Sequence, residues 1–364
     1  MRRCARCGFP GRYTRFLEWH SDGTVIGSVT PRIPMMFMEV DEWDAISGEL
    51  ASTLGLPIDH VVIEAEKQIG KDLYEMFKRV YHINLKRVPN NRLLRPQWVA
   101  KLFLRALRRD ISGIGNGSVR VEEYRTGKTL RVRFENPCLT PVVVGNCLGL
   151  YESLEIMPGS SAEYGLEGGD LVVRLSHSEE TPEYEDRLYL EEVEPGEGPL
   201  RFDRCPVCGV PLKIARSLSW DLPRGVITNP LTGRREVMVA VQSVNAILRE
   251  LERELGGEIV EILYNAQKRY SLGHLEGAEA SGTEGFWEEY LTEMALRGLG
   301  YPAEFEAGGD SISVDMRNAY EQDLYAAKLA GGLEKLTGRG SNINWELRER
   351  EHARYTISTG ADRA

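Results

Sequence analysis

Four of the six cysteines stand in two C-x-x-C pairs, CARCGFP from Cys4 and CPVCGVP from Cys205. The thiolate is the form of cysteine that binds metal, and a C-x-x-C loop offers two thiolates to one ion. A structural zinc takes four ligands in a tetrahedron, at about 2.3 Å from each sulfur, so each pair is half of a site. Both pairs run into Gly-x-Pro, which favours a turn, whereas a thioredoxin-type redox pair opens a helix after a buried strand. If the two segments meet, Cys4, Cys7, Cys205 and Cys208 form one site, with zinc the expected ion. Ligand type does not separate zinc from iron, so an iron-sulfur cluster is the alternative, as are unmetallated or redox-active thiols.

A duplicated chain brings the two segments together by symmetry. Adding 201 maps Cys4, Cys7, Gly8, Pro10, Arg15, Leu17 and Trp19 onto Cys205, Cys208, Gly209, Pro211, Arg216, Leu218 and Trp220. The same shift holds through Val40, Ile46, Leu50, Gly55, Ala65 and Lys67, which meet Val241, Ile247, Leu251, Gly256, Ala266 and Lys268. It falls to 189 where Trp98 and Ala106 to Arg108 meet Trp287 and Ala295 to Arg297, and to 182 where Asn136, Gly149, Glu152 and Ser176 meet Asn318, Gly331, Glu334 and Ser358. Internal self-similarity on this scale means a repeated structural unit. The expected organisation is a first repeat over 1–177, an acidic linker over 178–203 and a second repeat over 204–364, packed as an intrachain pseudo-dimer.

Each unit must contain the elements that hold its cysteines. YTRFLEW and IARSLSW read as strands, as do PMMFMEV and EVMVAV. Asp41 to Leu54 and Ser243 to Leu255 carry helical spacing, with Asp or Ser placed to cap the start and glycine after the last turn. Further helices are expected from Pro57 to about Tyr81, from Glu258 to Tyr270, from Pro96 to Arg109 and from Glu284 to Arg297. VRVEEYRTGKTLRVRFE and AEFEAGGDSISVDMR alternate around glycine turns as hairpins. A helix rich in small residues then packs closely on a neighbour, and LVVRLS or ARYTIS closes the unit. Strands, helices, hairpin, helix and strand make an α+β fold twice.

At 364 residues the chain suits two domains. Its net charge of -10 opposes a general nucleic-acid binder, which needs a basic surface. Lys78 to Arg109 nevertheless holds ten basic residues and no acid, and Glu179 to Asp203 holds ten acids. The linker is either solvated or laid against that basic face. No apolar run is long enough to span a bilayer and the N-terminus lacks a signal core, so a cytoplasmic protein is expected. The six histidines form no metal or catalytic pair, and no nucleophile elbow, Walker loop or dinucleotide fingerprint is present. A non-catalytic role is therefore the expectation. Met35, Met36, Phe37 and Met38 are the candidate lining of an apolar pocket, because thioether side chains adapt to ligand shape; core packing is the other reading.

NPCLTPVVVGNCLGLYESL after its hairpin, echoed by NAYEQDLYAAKLAGGLEKL, resembles the 4-vinyl reductase-like, or hydrocarbon-binding, domain family. That family is related in fold to the Bet-type subunits of the transport protein particle. The resemblance covers about two thirds of each repeat and implies a binder of small apolar or aromatic molecules that pairs through a helical face. Glu135, Cys138 and Cys147 form E-x-x-C-x8-C, similar to a metal-binding pattern in aromatic-sensing members. A further cysteine expected upstream is missing. These residues are a candidate second metal site, or the two thiols are small buried hydrophobes. The expected function is a ligand-binding or sensor protein with an interdomain zinc. A protein-interaction or assembly scaffold is the competing class, and a subunit for tetrapyrrole or anaerobic hydrocarbon chemistry is the third.

Overall fold

The computed structural model describes residues 2–28, 32–80, 104–105, 108, 110–157, 159–179, 192–275, 282–349 and 352–360. The first copy runs β1 (Leu17–Trp19), β2 (Val25–Gly27), β3 (Met35–Glu39), α1 (Val40–Leu54), α2 (Asp59–Val80), β4 (Ser118–Arg125), β5 (Thr129–Glu135), α3 (Thr140–Glu155), β6 (Ser160–Glu167) and β7 (Asp170–His177). The second runs α4 (Leu212–Ser217), β8 (Ser219–Asp221), β9 (Val226–Thr228), β10 (Arg235–Ala240), α5 (Val241–Leu255), α6 (Ile259–His274), α7 (Gly282–Leu296), β11 (Tyr301–Ala307), β12 (Ser311–Arg317), α8 (Gln322–Thr337), β13 (Ser341–Glu349) and β14 (His352–Thr359). All sheets among the described residues are antiparallel, and the fold is α+β.

Each copy carries a four-stranded sheet of matching order, β4-β5-β7-β6 and β11-β12-β14-β13. A third sheet crosses between the copies. In β3-β10-β9-β8, Phe37 stands opposite Met238, its own partner at a shift of 201, while Met38 meets Val237 and Met36 meets Val239. The pairing is symmetric about Phe37 and Met238, so a pseudo-twofold axis passes between them. Beyond β3, a single bridge from Ile26 to Pro34 joins the β1-β2 hairpin to the same surface.

The helices also pack across the axis. α1 lies on α6 and α2 on α5, whereas α2 on α3 and α6 on α8 are contacts within a copy. Their crossings are close enough to need glycine. A Cβ on Gly149 would fall 1.9 Å from the Lys67 carbonyl oxygen, and one on its mate Gly331 would fall 2.7 Å from Ser271 Cβ. Beside each crossing a lysine and a serine meet one carboxylate. Lys67 and Ser160 lie 2.9 Å from Glu152, and Lys268 and Ser341 lie 3.1 and 2.8 Å from Glu334.

Several expected elements differ. The helix Leu212–Ser217 takes in the first four residues of IARSLSW, and in the first copy only Leu17–Trp19 of YTRFLEW is strand. The capping positions of α1 and α5 are Glu39 and Ala240, without side-chain caps, because strands β3 and β10 run directly into these helices. The closing strand is half of a hairpin in each copy, β6-β7 and β13-β14. The shift of 189 does not describe the third helix. Gly115 and Gly117 correspond in position and positive φ to Gly298 and Gly300, a shift of 183 that makes Leu104 the mate of Trp287. Most of the Pro96 to Arg109 helix and of the basic stretch, and linker residues 180–191, lie outside the described residues. Past them, the linker docks on the first copy, with Val193 N–H donating to the Arg32 carbonyl and Gly196 N–H to Asp22.

Polar contacts join the copies inside the core. Glu66 of α2 is buried and accepts hydrogen bonds from Ser243 of α5 and, at 2.8 Å, from Asn146 of α3. Burial raises its carboxyl from the ordinary 4.5 to about 7, against the opposing pull of those two donors. The unfolded chain ionises this group above about pH 4.5, whereas the folded chain resists ionisation up to about pH 7. Stability is thus lost as pH rises through this window, by on the order of 3 kcal/mol. Glu66→Gln, the residue that the second copy holds at Gln267, is expected to flatten this slope in urea unfolding between pH 4.5 and 8.

Candidate metal centre and apolar cleft

Each cysteine pair sits in a tight knuckle built by its own backbone. In the first copy Cys4 N–H donates to the Phe9 carbonyl and Gly8 N–H to the Cys4 carbonyl; Cys205, Val210 and Gly209 repeat the pattern. Gly8 and Gly209 both have φ 76°, a left-handed conformation that glycine adopts without steric cost. The knuckles are fixed across the axis. Arg204 donates to the Trp19 carbonyl at 2.7 Å, and Arg3 donates to that of Trp220. The indole of Trp19 donates to the Leu296 carbonyl at 2.9 Å, and that of Trp220 to Gly113 at 3.2 Å. Phe9 packs edge-on against both rings, at 5.9 and 4.7 Å between centroids. Trp19 and Trp220 thus serve packing between copies.

This frame brings the four thiols together. Cys4 Sγ lies 3.8 Å from Cys205 Sγ and Cys7 Sγ lies 3.5 Å from Cys208 Sγ, each a pair 201 residues apart. All four sulfurs lie within 4.8 Å of one another, a set able to hold a metal ion. Backbone N–H groups of Cys7 and Arg6 lower the Cys4 thiol to about 6. At Cys205 burial pushes upward, but the N–H groups of Val207 and Cys208 hold the thiol below its ordinary value. Burial raises Cys7 and pushes Cys208 up to about 12. A bound cation removes the mutual repulsion of four thiolates and favours their deprotonation.

The other sequence candidates are not gathered. Glu135 lies at the surface, 4.0 Å from Arg120. Cys138 is buried in the core shared by the copies, and Cys147 packs against the separate core of the first copy. Burial pushes their thiols up to about 11 and about 12, which favours the protonated form. Among the described residues these three do not form a ligand set; the reading as a small buried hydrophobe describes Cys138, while Cys147 is half-buried. Met35, Met36, Phe37 and Met38 are all buried. Met36 and Met38 face the shared helical core, while Met35 and Phe37 face the core around the tryptophans. The alternation of a strand buried on both sides commits all four to packing, so they line neither cleft described next.

Sequence reasoning missed both clefts. One of about 940 Å³, its wall divided between polar and apolar groups, lies along the docked linker, with Glu192, Glu252, Glu321 and Asp323 beside Leu248, Ile259 and Leu263. A second, of about 350 Å³, lies in the first copy between sheet β4-β5 and α3. Leu104, Ile111, Val119, Phe134, Cys147 and Leu150 are among the apolar residues of its wall. In the second copy the mate of Leu104 is Trp287, fully buried over Gly332, which is the mate of Leu150. No helix among the described residues is long and apolar enough to cross a membrane. No protein-family model matches the chain, and no curated protein matches it.

Proposed function

We propose that the chain is a small-molecule-binding protein whose first repeat takes an apolar or aromatic ligand and whose two repeats are joined by one structural zinc. The observation that carries the ligand reading is the 350 Å³ cleft in the first copy, set against the buried Trp287 at the matching place in the second. Its size and mostly apolar wall suit a ligand of one or two rings. The resemblance to hydrocarbon-binding domains points the same way. The sulfur spacing supports a single ion. A tetrahedron with metal–sulfur bonds of about 2.3 Å has edges of about 3.8 Å, close to the cross-copy separations of 3.8 and 3.5 Å. A multi-iron cluster interposes its own iron and sulfide between the thiolates and holds them farther apart. Zinc also suits a thiolate-only site that has no open position.

Naphthalene, a neutral apolar probe, tests the cleft. It is expected to bind the purified protein at one molecule per chain. In the double substitution Leu104→Trp, Leu150→Gly, which installs the packing pair of the second copy, binding should fall at least tenfold with the thermal midpoint preserved. Undiminished binding in that variant would place the ligand elsewhere and defeat the reading.

A further inference from the structure

The mouth of the apolar cleft carries a charge pattern that a hydrocarbon does not need. Leu104, Arg105, Arg108 and Ile111 all contribute to its wall, and the chain is helical at 104, 105, 108 and 110–114. Spacings of three and four put Leu104, Arg108 and Ile111 along one side of that helix, with Arg105 beside Arg108. Both arginines are exposed, and among the described residues neither guanidinium has a carboxylate partner. This sets them apart from Arg131 and Arg133 on the neighbouring strand, which are held by Glu122 and Glu167.

The second copy does not keep this basic pair. At a shift of 183 the mates of Arg105 and Arg108 are Glu288 and Leu291. Two arginines without a carboxylate partner among the described residues therefore stand at the cleft in the copy that has one, beside the ion-paired Arg120 and Glu122 of its wall, and Glu288 and Leu291 occupy the matching places in the other. A guanidinium matches a carboxylate through two parallel N–H donors, and a site part-shielded from water strengthens that contact.

From this we infer that the ligand of the first repeat is amphiphilic: an apolar body in the cleft ending in a carboxylate held by Arg105 and Arg108. The inference rests on the cleft being a ligand site, and it names the ligand class that the site selects.

Titration calorimetry with decanoate and 1-decanol separates the two claims. The wild-type chain is expected to bind decanoate about tenfold more tightly than decanol at low salt, the scale of one charge-assisted contact. That preference should disappear in 0.5 M NaCl. In Arg105→Gln, Arg108→Gln decanoate should lose its advantage, so that the two probes bind equally; both side chains are exposed, so the fold is not at stake. Equal affinities in the wild type, or a preference that survives the double substitution, would overturn the carboxylate inference and leave an apolar site standing. Binding of neither probe would overturn both.

Discussion

Replacing Cys205 and Cys208 with serine is expected to abolish metal binding and to destabilise the whole chain, not one half of it. Elemental analysis of the unaltered protein should give one zinc per chain, and the variant should give none. Two ligands remain on Cys4 and Cys7, but two thiolates do not close a tetrahedral site. A structural zinc contributes about 10–16 kcal/mol in isolated finger peptides. Here the copies also share a sheet and a core, so the expected loss is smaller, roughly 5 kcal/mol. A strong chelator should reproduce the loss in the unaltered chain and have no further effect on the variant. Full metal content in the variant would exclude the shared site, and iron in place of zinc would change its chemistry.

Lys328→Met is expected to cost about 3–5 kcal/mol at pH 7, because it strands a buried carboxylate. Lys328 of α8 and Glu42 of α1 come from opposite copies, their charged atoms are 2.5 Å apart, and both side chains are 8% exposed. The pair need not stabilise the fold relative to apolar residues of the same size. Removing one member is the costly step, since the remaining charge keeps its desolvation penalty without its partner. Adding Glu42→Gln to the Lys328→Met chain should therefore restore more than half of the loss. A double-mutant cycle from urea unfolding measures the coupling, and a cycle that closes additively would show that the pair is not coupled.

The duplication and the meeting of the cysteines were legible because a constant offset of 201, held from Cys4 to Lys67, leaves matched letters at matched distances. Hairpins β4-β5 and β11-β12 were legible from their alternation. Strands β6 and β13 were not. SSAEYGLE is largely exposed on both faces as the edge strand of its sheet, so it lacks the apolar period that marks a half-buried strand. Met35 to Met38 illustrate the opposite difficulty, since an unbroken apolar run says that a strand is buried without saying between which layers. Trp98 and Trp287 invited a shift of 189, but the equivalence is set by where the helix ends, at Gly115 and Gly298. The cleft was hidden because its wall comes from four separate segments, and only the fold places Leu104 over Leu150.

The pseudo-twofold line passes between Phe37 and Met238 and also relates Cys4 to Cys205 and Cys7 to Cys208. With the proposed metal ion bridging the cysteines, two bodies pinned together at two places on one line can turn only about that line. Here the β3-β10 ladder lies across it and resists that rotation as well. In that state the halves would have no hinge, and a molecule bound in the first copy would not act by swinging one against the other as in a clamshell. A signal from the first copy would then travel through small local shifts in the helix carrying Arg105 and Arg108, including its last turn at Gly113, whose carbonyl is held by Trp220 of the other copy.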